Sequence, residues 1–293
     1  MFSNYISLLR VNHWFKNVSI IPGAYFAIVL HKGTIDFNTS FGIIVAFVLV
    51  SGISSVNYIV NQIADIKFDA KHPDKKNRPL PSGKVSLLRA GQLAAVLLIV
   101  CMIIGYFAYN LYFFYTLILL WLAGIVYNVR PIRFKDVPYI DVISESFNNP
   151  VRFLLGWFAV TSFSIPHLAI LLFTWALGAI LMTAKRYDEL RFYGKNLVPY
   201  RYTFNTYSLN KLLAMMFVYA LLSSLTLAYS VYIYQPSMLP GIPFVTMFLL
   251  WVIKRVTSSG SRARNIEMFV FDRRFIFYSI SLVLFFIYLV LSR

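Results

Sequence analysis

Apolar residues in this chain gather into long unbroken runs, and these runs set its architecture. A helix crosses the hydrocarbon core of a bilayer with about 20 predominantly apolar residues. Nine segments approach that length: 18–31, 41–60, 90–109, 111–127, 141–160, 166–184, 211–233, 238–254 and 275–292. The pattern predicts an all-α integral membrane protein, a single domain over 1–293 built from nine transmembrane helices. The first segment is short and contains Pro22 and Gly23, so it is expected to tilt or kink. The start of the chain lacks an apolar core followed by a small-residue cleavage site, and the first segment is expected to stay in the mature protein.

Composition strengthens this picture. Hydrophobic residues make up 59% of the chain and charged residues 13%, about half the charge of a soluble domain. The single cysteine, Cys101, excludes an internal disulfide or a multi-cysteine metal site. The four histidines, at 13, 31, 72 and 167, are scattered without the spacing of a zinc site.

Charge changes the picture further. The net charge is +16, and 24 of the 27 Lys and Arg residues fall before the first segment or in 61–89, 128–140, 185–211 and 254–274. Lys32 and Arg293 fall on the opposite side, and Arg152 lies inside the fifth segment. Basic residues confined to every second loop are a topology signal and exclude a nucleic-acid binder. They predict a multi-pass cell-membrane protein with its N-terminus in the cytoplasm and its C-terminus outside. The same charge attracts anionic membrane lipids and phosphorylated substrates.

Candidate chemistry sits on that basic face. Asn61, Asp65 and Asp69 are spaced four apart at the end of the second segment, hence on one helical face. Like charges at this spacing repel, and a divalent cation removes the penalty. Mg²⁺ takes oxygen ligands and is commonly held by one or two carboxylates plus substrate phosphates. Lys71, His72, Lys75, Lys76 and Arg78 follow at once, supplying cations for the charge on a departing diphosphate. Pro79, Pro81 and Gly83 predict a turn that folds this loop back.

The next basic loop repeats the theme. Tyr127, Arg130, Arg133, Lys135 and Asp136 precede a second acidic pair, Asp141 and Glu145, again four apart. Two acidic clusters on one face fit two metal ions bridged by a diphosphate. Asn148, Asn149, Pro150 and Arg152 lie deeper in the fifth segment and are expected to face a polar cavity rather than lipid. A third cluster, Lys185, Arg186, Asp188, Glu189 and Arg191, closes the sixth segment, with Lys185 and Glu189 as partners four apart.

These regions together resemble the UbiA superfamily of membrane prenyltransferases. The resemblance rests on Asn61-x-x-x-Asp65-x-x-x-Asp69, on Arg78-Pro79 with Gly83, and on Tyr127, Lys135 and Asp141 in order. Arg10-x-x-x-Trp14-x-Lys16-Asn17, Lys185-Arg186-Tyr187-x-Glu189-Leu190, and Asp141 followed by Arg152 and Gly156 look like the decaprenyl-phosphate phosphoribosyltransferase branch. So does the tract from Asp65 to Pro79 through His72 and Pro73.

The resemblance implies a Mg²⁺ enzyme with a cytoplasmic-facing polar cavity. Its expected reaction is phosphoribosyl transfer from phosphoribosyl pyrophosphate (PRPP) to a polyprenyl phosphate. Metal carriers are then expected at Asp65, Asp69 and Asp141, with Asn61 and Glu145 as further oxygen ligands. Lys76, Arg78, Lys135 and Arg152 would neutralise phosphate oxygens, while Lys16, Tyr127, Lys185 and Glu189 would serve substrate binding.

Three features depart from that branch. Gln62 stands where an acid is usual, Tyr127 to Lys135 has the longer spacing of true prenyltransferases, and Asn148-Asn149-Pro150 replaces small apolar residues. Prenyl transfer from an isoprenoid diphosphate to a small acceptor is therefore the alternative. A transporter would show broken helices in corresponding halves, whereas here the acids collect at helix ends.

Overall fold

The structure is a computed structural model that describes residues 2–32, 34–71, 75–199, 201–258 and 269–291. His72, Pro73, Asp74 and Arg293, as well as much of the basic loop before the last segment, lie outside the described residues. Eleven α-helices are described. They are α1 (Phe2–Leu9), α2 (Ile20–Ala27), α3 (Phe37–Asp69), α4 (Leu87–Ala108), α5 (Leu111–Asn128) and α6 (Ile140–Ser146), followed by α7 (Asn148–Phe158), α8 (Leu168–Tyr193), α9 (Leu209–Tyr234), α10 (Ile242–Thr257) and α11 (Arg273–Leu291). Each of the nine predicted segments coincides with helix. Six helices are long and apolar enough to cross a membrane by length and composition, namely α3, α4, α5, and those spanning Leu168–Asn196, Leu209–Tyr234 and Pro236–Thr257.

Backbone contacts divide the chain into two compact units, Met1–Pro166 and His167–Arg293. In the first, helix starts follow local chemistry. Asp36 caps α3 by accepting from the Thr39 amide at 2.6 Å, Ser86 caps α4 and Asn110 caps α5. Asn110 also donates to the Phe158 carbonyl at 2.6 Å, so one side chain starts α5 and ties it to the end of α7. α3 has 33 residues, which makes it about 50 Å long. That exceeds a hydrocarbon thickness of about 30 Å, so the helix is longer than one crossing requires, and Asn61, Asp65 and Asp69 sit in its last turns.

Close packing uses small residues, as expected where hydrophobic burial does not drive helices together. α2 and α7 cross at Gly23 and Gly156. A Cβ on Gly23 would lie 1.9 Å from the Phe153 carbonyl oxygen, and one on Gly156 would lie 1.9 Å from that of Ile20. Under the last turns of α3, Leu8, Val56, Ile59, Leu80, Val85, Ala90 and Ala94 form an apolar cluster that joins α1, α3, α4 and the 79–85 turn.

Two predicted spans are broken. Segment 18–31 is helix α2 followed by a π-turn at Ile28–Lys32. Segment 141–160 divides into α6 and α7 at Phe147. Pro150 has no N–H to give the carbonyl of Ser146, and the Asn149 side chain donates to that carbonyl instead, at 3.1 Å. Asn148 does likewise for Glu145, at 3.0 Å. The Asn pair expected to face a cavity thus satisfies its own backbone.

In the second unit α8 packs along α9, and α10 along α9 and α11. Ser224 and Thr246 join α9 to α10 through a 2.9 Å hydroxyl contact. Gly241 gives room to the Phe286 ring of α11, which a Cβ would approach to 2.6 Å.

Candidate functional site

The end of α3 carries the first centre, and Asp65 is its hub. Arg133 Nη2 donates to Asp65 Oδ1 at 2.8 Å, and Lys135 Nζ to Oδ2 at 2.5 Å. Asn61 Nδ2 donates to the same Oδ2 at 3.3 Å and also to Asn128 Oδ1. Four residues further on, Asp69 is buried and receives Arg78 Nη1 at 2.7 Å, with Lys75 Nζ at 3.9 Å. The loop 75–85 does fold back, because the amide of Val85 bonds to the carbonyl of Pro79 and Gly83 takes a positive φ of 71°.

Arg133 has no role assigned by the sequence pattern. It holds Asp65, Asp136 (2.7 Å) and the Asn128 carbonyl (3.0 Å) at once, and its guanidinium lies over the Phe68 ring. Its backbone is left-handed, with φ 38°, a conformation costing a non-glycine residue about 1–2 kcal/mol. Those four contacts offset that cost. The available signal was the Arg-Phe-Lys-Asp order at 133–136, in which the cation and its acid sit three apart on a single turn.

A second polar centre lies within the same unit. Tyr127 donates its hydroxyl to Glu145 Oε2 at 2.9 Å, and Glu145 lies within electrostatic reach of Arg152. Tyr127 and Asn128 are adjacent at the end of α5, yet Tyr127 serves this centre while Asn128 serves Asp65. Arg152 Nε donates to Asn17 Oδ1 at 2.8 Å. Lys16, next to it in sequence, lies 6.0 Å from the centroid of the Phe15 ring.

Other predicted residues of this unit are placed as follows. Asp141 is fully buried on the first turn of α6, beside the Phe134–Asp136 turn that carries Lys135. Lys76 is exposed on the loop after α3. Among the described residues no three His, Cys, Asp or Glu side chains gather as a metal-holding group. Gln62 takes no part in either centre. It is buried and donates to the carbonyls of Leu8 and Tyr58 at 3.0 and 3.3 Å, which ties α1 to α3.

In the second unit Lys185 and Glu189 do lie on one face of α8. Glu189 accepts from Arg186 at 2.9 Å, and Lys185 and Arg201 also act on its charge. Arg186 is fully buried. Arg191 joins Asp188 at 3.2 Å and donates to the Thr257 carbonyl at the end of α10, where a cation is favoured.

The first centre holds hard oxygen donors: two carboxylates and an amide on one face of α3. That set suits Mg²⁺, which needs only one or two carboxylates when phosphates complete its shell. Around it, four cations (Lys75, Arg78, Arg133, Lys135) face three carboxylates (Asp65, Asp69, Asp136). Cations therefore line the centre beside its oxygen donors. It suits a diphosphate carrying one Mg²⁺, whose net charge is negative.

The fold and this centre together define an all-helical integral membrane protein with a carboxylate and cation site at the end of its longest helix. Residues 19–290 match the UbiA prenyltransferase family, and the chain belongs to that family. A digeranylgeranylglyceryl phosphate synthase of Sulfurisphaera tokodaii is 29% identical over 137 residues, 45% of this chain and 48% of that one. A decaprenyl-phosphate phosphoribosyltransferase of Mycolicibacterium smegmatis is 26% identical over 191 residues, 64% of this chain and 58% of that one. The chain thus spans about half the length of these relatives. A solved structure of a UbiA homolog from Archaeoglobus fulgidus bound to DMAPP and Mg²⁺ superposes with a TM-score of 0.73 at 18% identity, covering 98% of this chain and 97% of that one. At that identity the likeness is one of fold.

Proposed function

We propose that this protein is a Mg²⁺-dependent membrane transferase that moves a phosphoribosyl group from PRPP to a polyprenyl phosphate. The observation that carries the reading is the Asp65 and Asp69 face of α3, set among Lys75, Arg78, Arg133 and Lys135. The 26% identical phosphoribosyltransferase relative and the Lys16-Asn17 and Lys185 to Leu190 motifs support the choice of donor. In this reading the nine helical segments all cross the cell membrane, and the basic loops with the donor centre face the cytoplasm.

The donor diphosphate lies against Arg78, Arg133 and Lys135, which turn from their carboxylates towards its oxygens. Asn61, Asp65 and Asp69 would hold the metal, with Asp141 and Glu145 as the further acids of the proposal. Bound Mg²⁺ supplies charge neutralisation of the leaving diphosphate. The C1–O bond of the ribose to diphosphate breaks, and an anionic oxygen of the lipid phosphate forms the new C1–O bond. That oxygen already carries its negative charge, so the attack needs no general base. Arg152, fixed near Glu145 and Tyr127, takes the phosphate of the lipid, and Lys16 and Lys76 add positive charge at the approach. Lys185 and Glu189, on α8 of the second unit, are proposed as substrate-binding residues.

Prenyl transfer from an isoprenoid diphosphate is the second reading. It is favoured by the longer spacing from Tyr127 to Lys135 and by the synthase relative. Purified protein is incubated with labelled PRPP plus polyprenyl phosphate, and separately with prenyl diphosphate plus small acceptors. Product in the first incubation is expected, and product in the second alone replaces the lead reading.

A further inference from the structure

We infer that Asn17 is a positioning residue that fixes the Arg152 guanidinium for a phosphate. The inference rests on the reading of Arg152 given above. Asn17 is 1% exposed although it lies in a short 3₁₀ segment, Val11–Ser19, between α1 and α2. Its amide is held from three sides. Oδ1 accepts from Arg152 Nε at 2.8 Å and from Ser54 Oγ at 3.2 Å, while Nδ2 donates to Ser51 Oγ at 3.0 Å. A flipped amide would turn its NH₂ towards the Arg152 N–H, so the donors fix one orientation. Ser51 and Ser54 are themselves buried on α3, the helix that carries Asp65 and Asp69.

The choice of atom matters. Using Nε for Asn17 leaves the two terminal nitrogens of Arg152 as a planar fork, the geometry that grips phosphate oxygens. Glu145 and Tyr58 lie within electrostatic reach of that charge. Arg152 is on α7, so the contact links three separated pieces of chain, at positions 17, 51–54 and 152. A merely structural polar contact would bury whichever nitrogen fitted. Here the inner nitrogen is consumed and the outer pair is left to a ligand.

The test measures binding of farnesyl monophosphate to purified protein in detergent, with no donor present. Arg152→Gln is expected to weaken binding about tenfold or more, because it removes a charge-assisted contact. Asn17→Leu should weaken it by a similar factor, and Asn17→Leu/Arg152→Gln should be no weaker than Arg152→Gln alone. Asn17→Asp keeps an acceptor for Nε and should recover affinity relative to Leu. If Asn17→Leu does not fold by its melting curve, Ser51→Ala/Ser54→Ala releases the amide instead and should give part of the same loss. Losses that multiply in the double variant, or an Asn17→Leu protein that binds like wild type, overturn the inference alone. An Arg152→Gln protein that binds like wild type overturns the phosphate role of Arg152, and the inference with it.

Discussion

Replacing Asp65 by Asn separates the two jobs of that residue. The substitution preserves size and leaves an amide for Asn61, but it removes the charge that Arg133 and Lys135 face at 2.8 and 2.5 Å. Both cations have side chains only 8% exposed, so they cannot simply rehydrate. Removing one partner of a buried pair costs about 3–5 kcal/mol. Asp65 is itself 17% exposed and Arg133 keeps Asp136 and the Asn128 carbonyl, so a loss of about 2–3 kcal/mol is expected after discounting for solvent. Changing Lys135 to Met in the same protein removes the second cation of the pair and reads how much of that loss runs through Lys135. Activity should behave differently. Asp65→Asn should lower transfer by about 100-fold or more, as expected when electrostatic stabilisation of a leaving group is lost, and the added Lys135→Met should lower it further. Denaturation in detergent reads the first effect, and product formation from labelled PRPP or prenyl diphosphate reads the second. An Asp65→Asn protein with wild-type stability would refute the ion-pair argument. One that keeps most of its activity would refute the placement of the metal.

Four further outcomes follow from the geometry. Gly156→Ala pushes a Cβ to 1.9 Å from the Ile20 carbonyl, and should destabilise the protein by about 1–3 kcal/mol or more; an unchanged melting temperature would contradict the close crossing of α2 and α7. Gln62→Asp puts an acceptor-only group against the carbonyls of Leu8 and Tyr58, and should cost about 1–3 kcal/mol with no tightening of Mg²⁺ dependence in the transfer assay. Tyr127→Phe removes the 2.9 Å bond to Glu145, worth about 1.5–3 kcal/mol because the acceptor is charged. It should raise KM for the lipid phosphate more than for the donor, and equal changes would place Tyr127 elsewhere. Chelation should abolish transfer and added Mg²⁺ should restore it, so activity in excess chelator would remove the metal from the reaction.

The architecture was legible because its signal is local. Long apolar runs need no partner to be recognised, and each predicted segment is helix among the described residues. The breaks were less legible. The break at Phe147 was not expected, and only the structure pairs the Ser146 carbonyl, left without an N–H by Pro150, with the Asn149 side chain. Gln62 was read as an acid missing from the metal site, yet its side chain points to α1 and bonds to Leu8. One position along a helix turns a side chain by about 100°, so a motif letter beside Asn61 need not share its face.

The acidic spacing holds the sharper lesson. Asp65 and Asp69 lie four apart, and their repulsion was the sequence argument for a divalent cation. The structure sets protein cations against both carboxylates. Arg133 and Lys135 reach Asp65 across 68 and 70 residues, and Arg78 reaches Asp69 across nine. Spacing by itself therefore does not require a metal. The case for Mg²⁺ rests instead on the oxygen donors of α3 and the cations set among them. In the proposed reaction a metal-bound diphosphate would meet both the cations and the carboxylates of this centre.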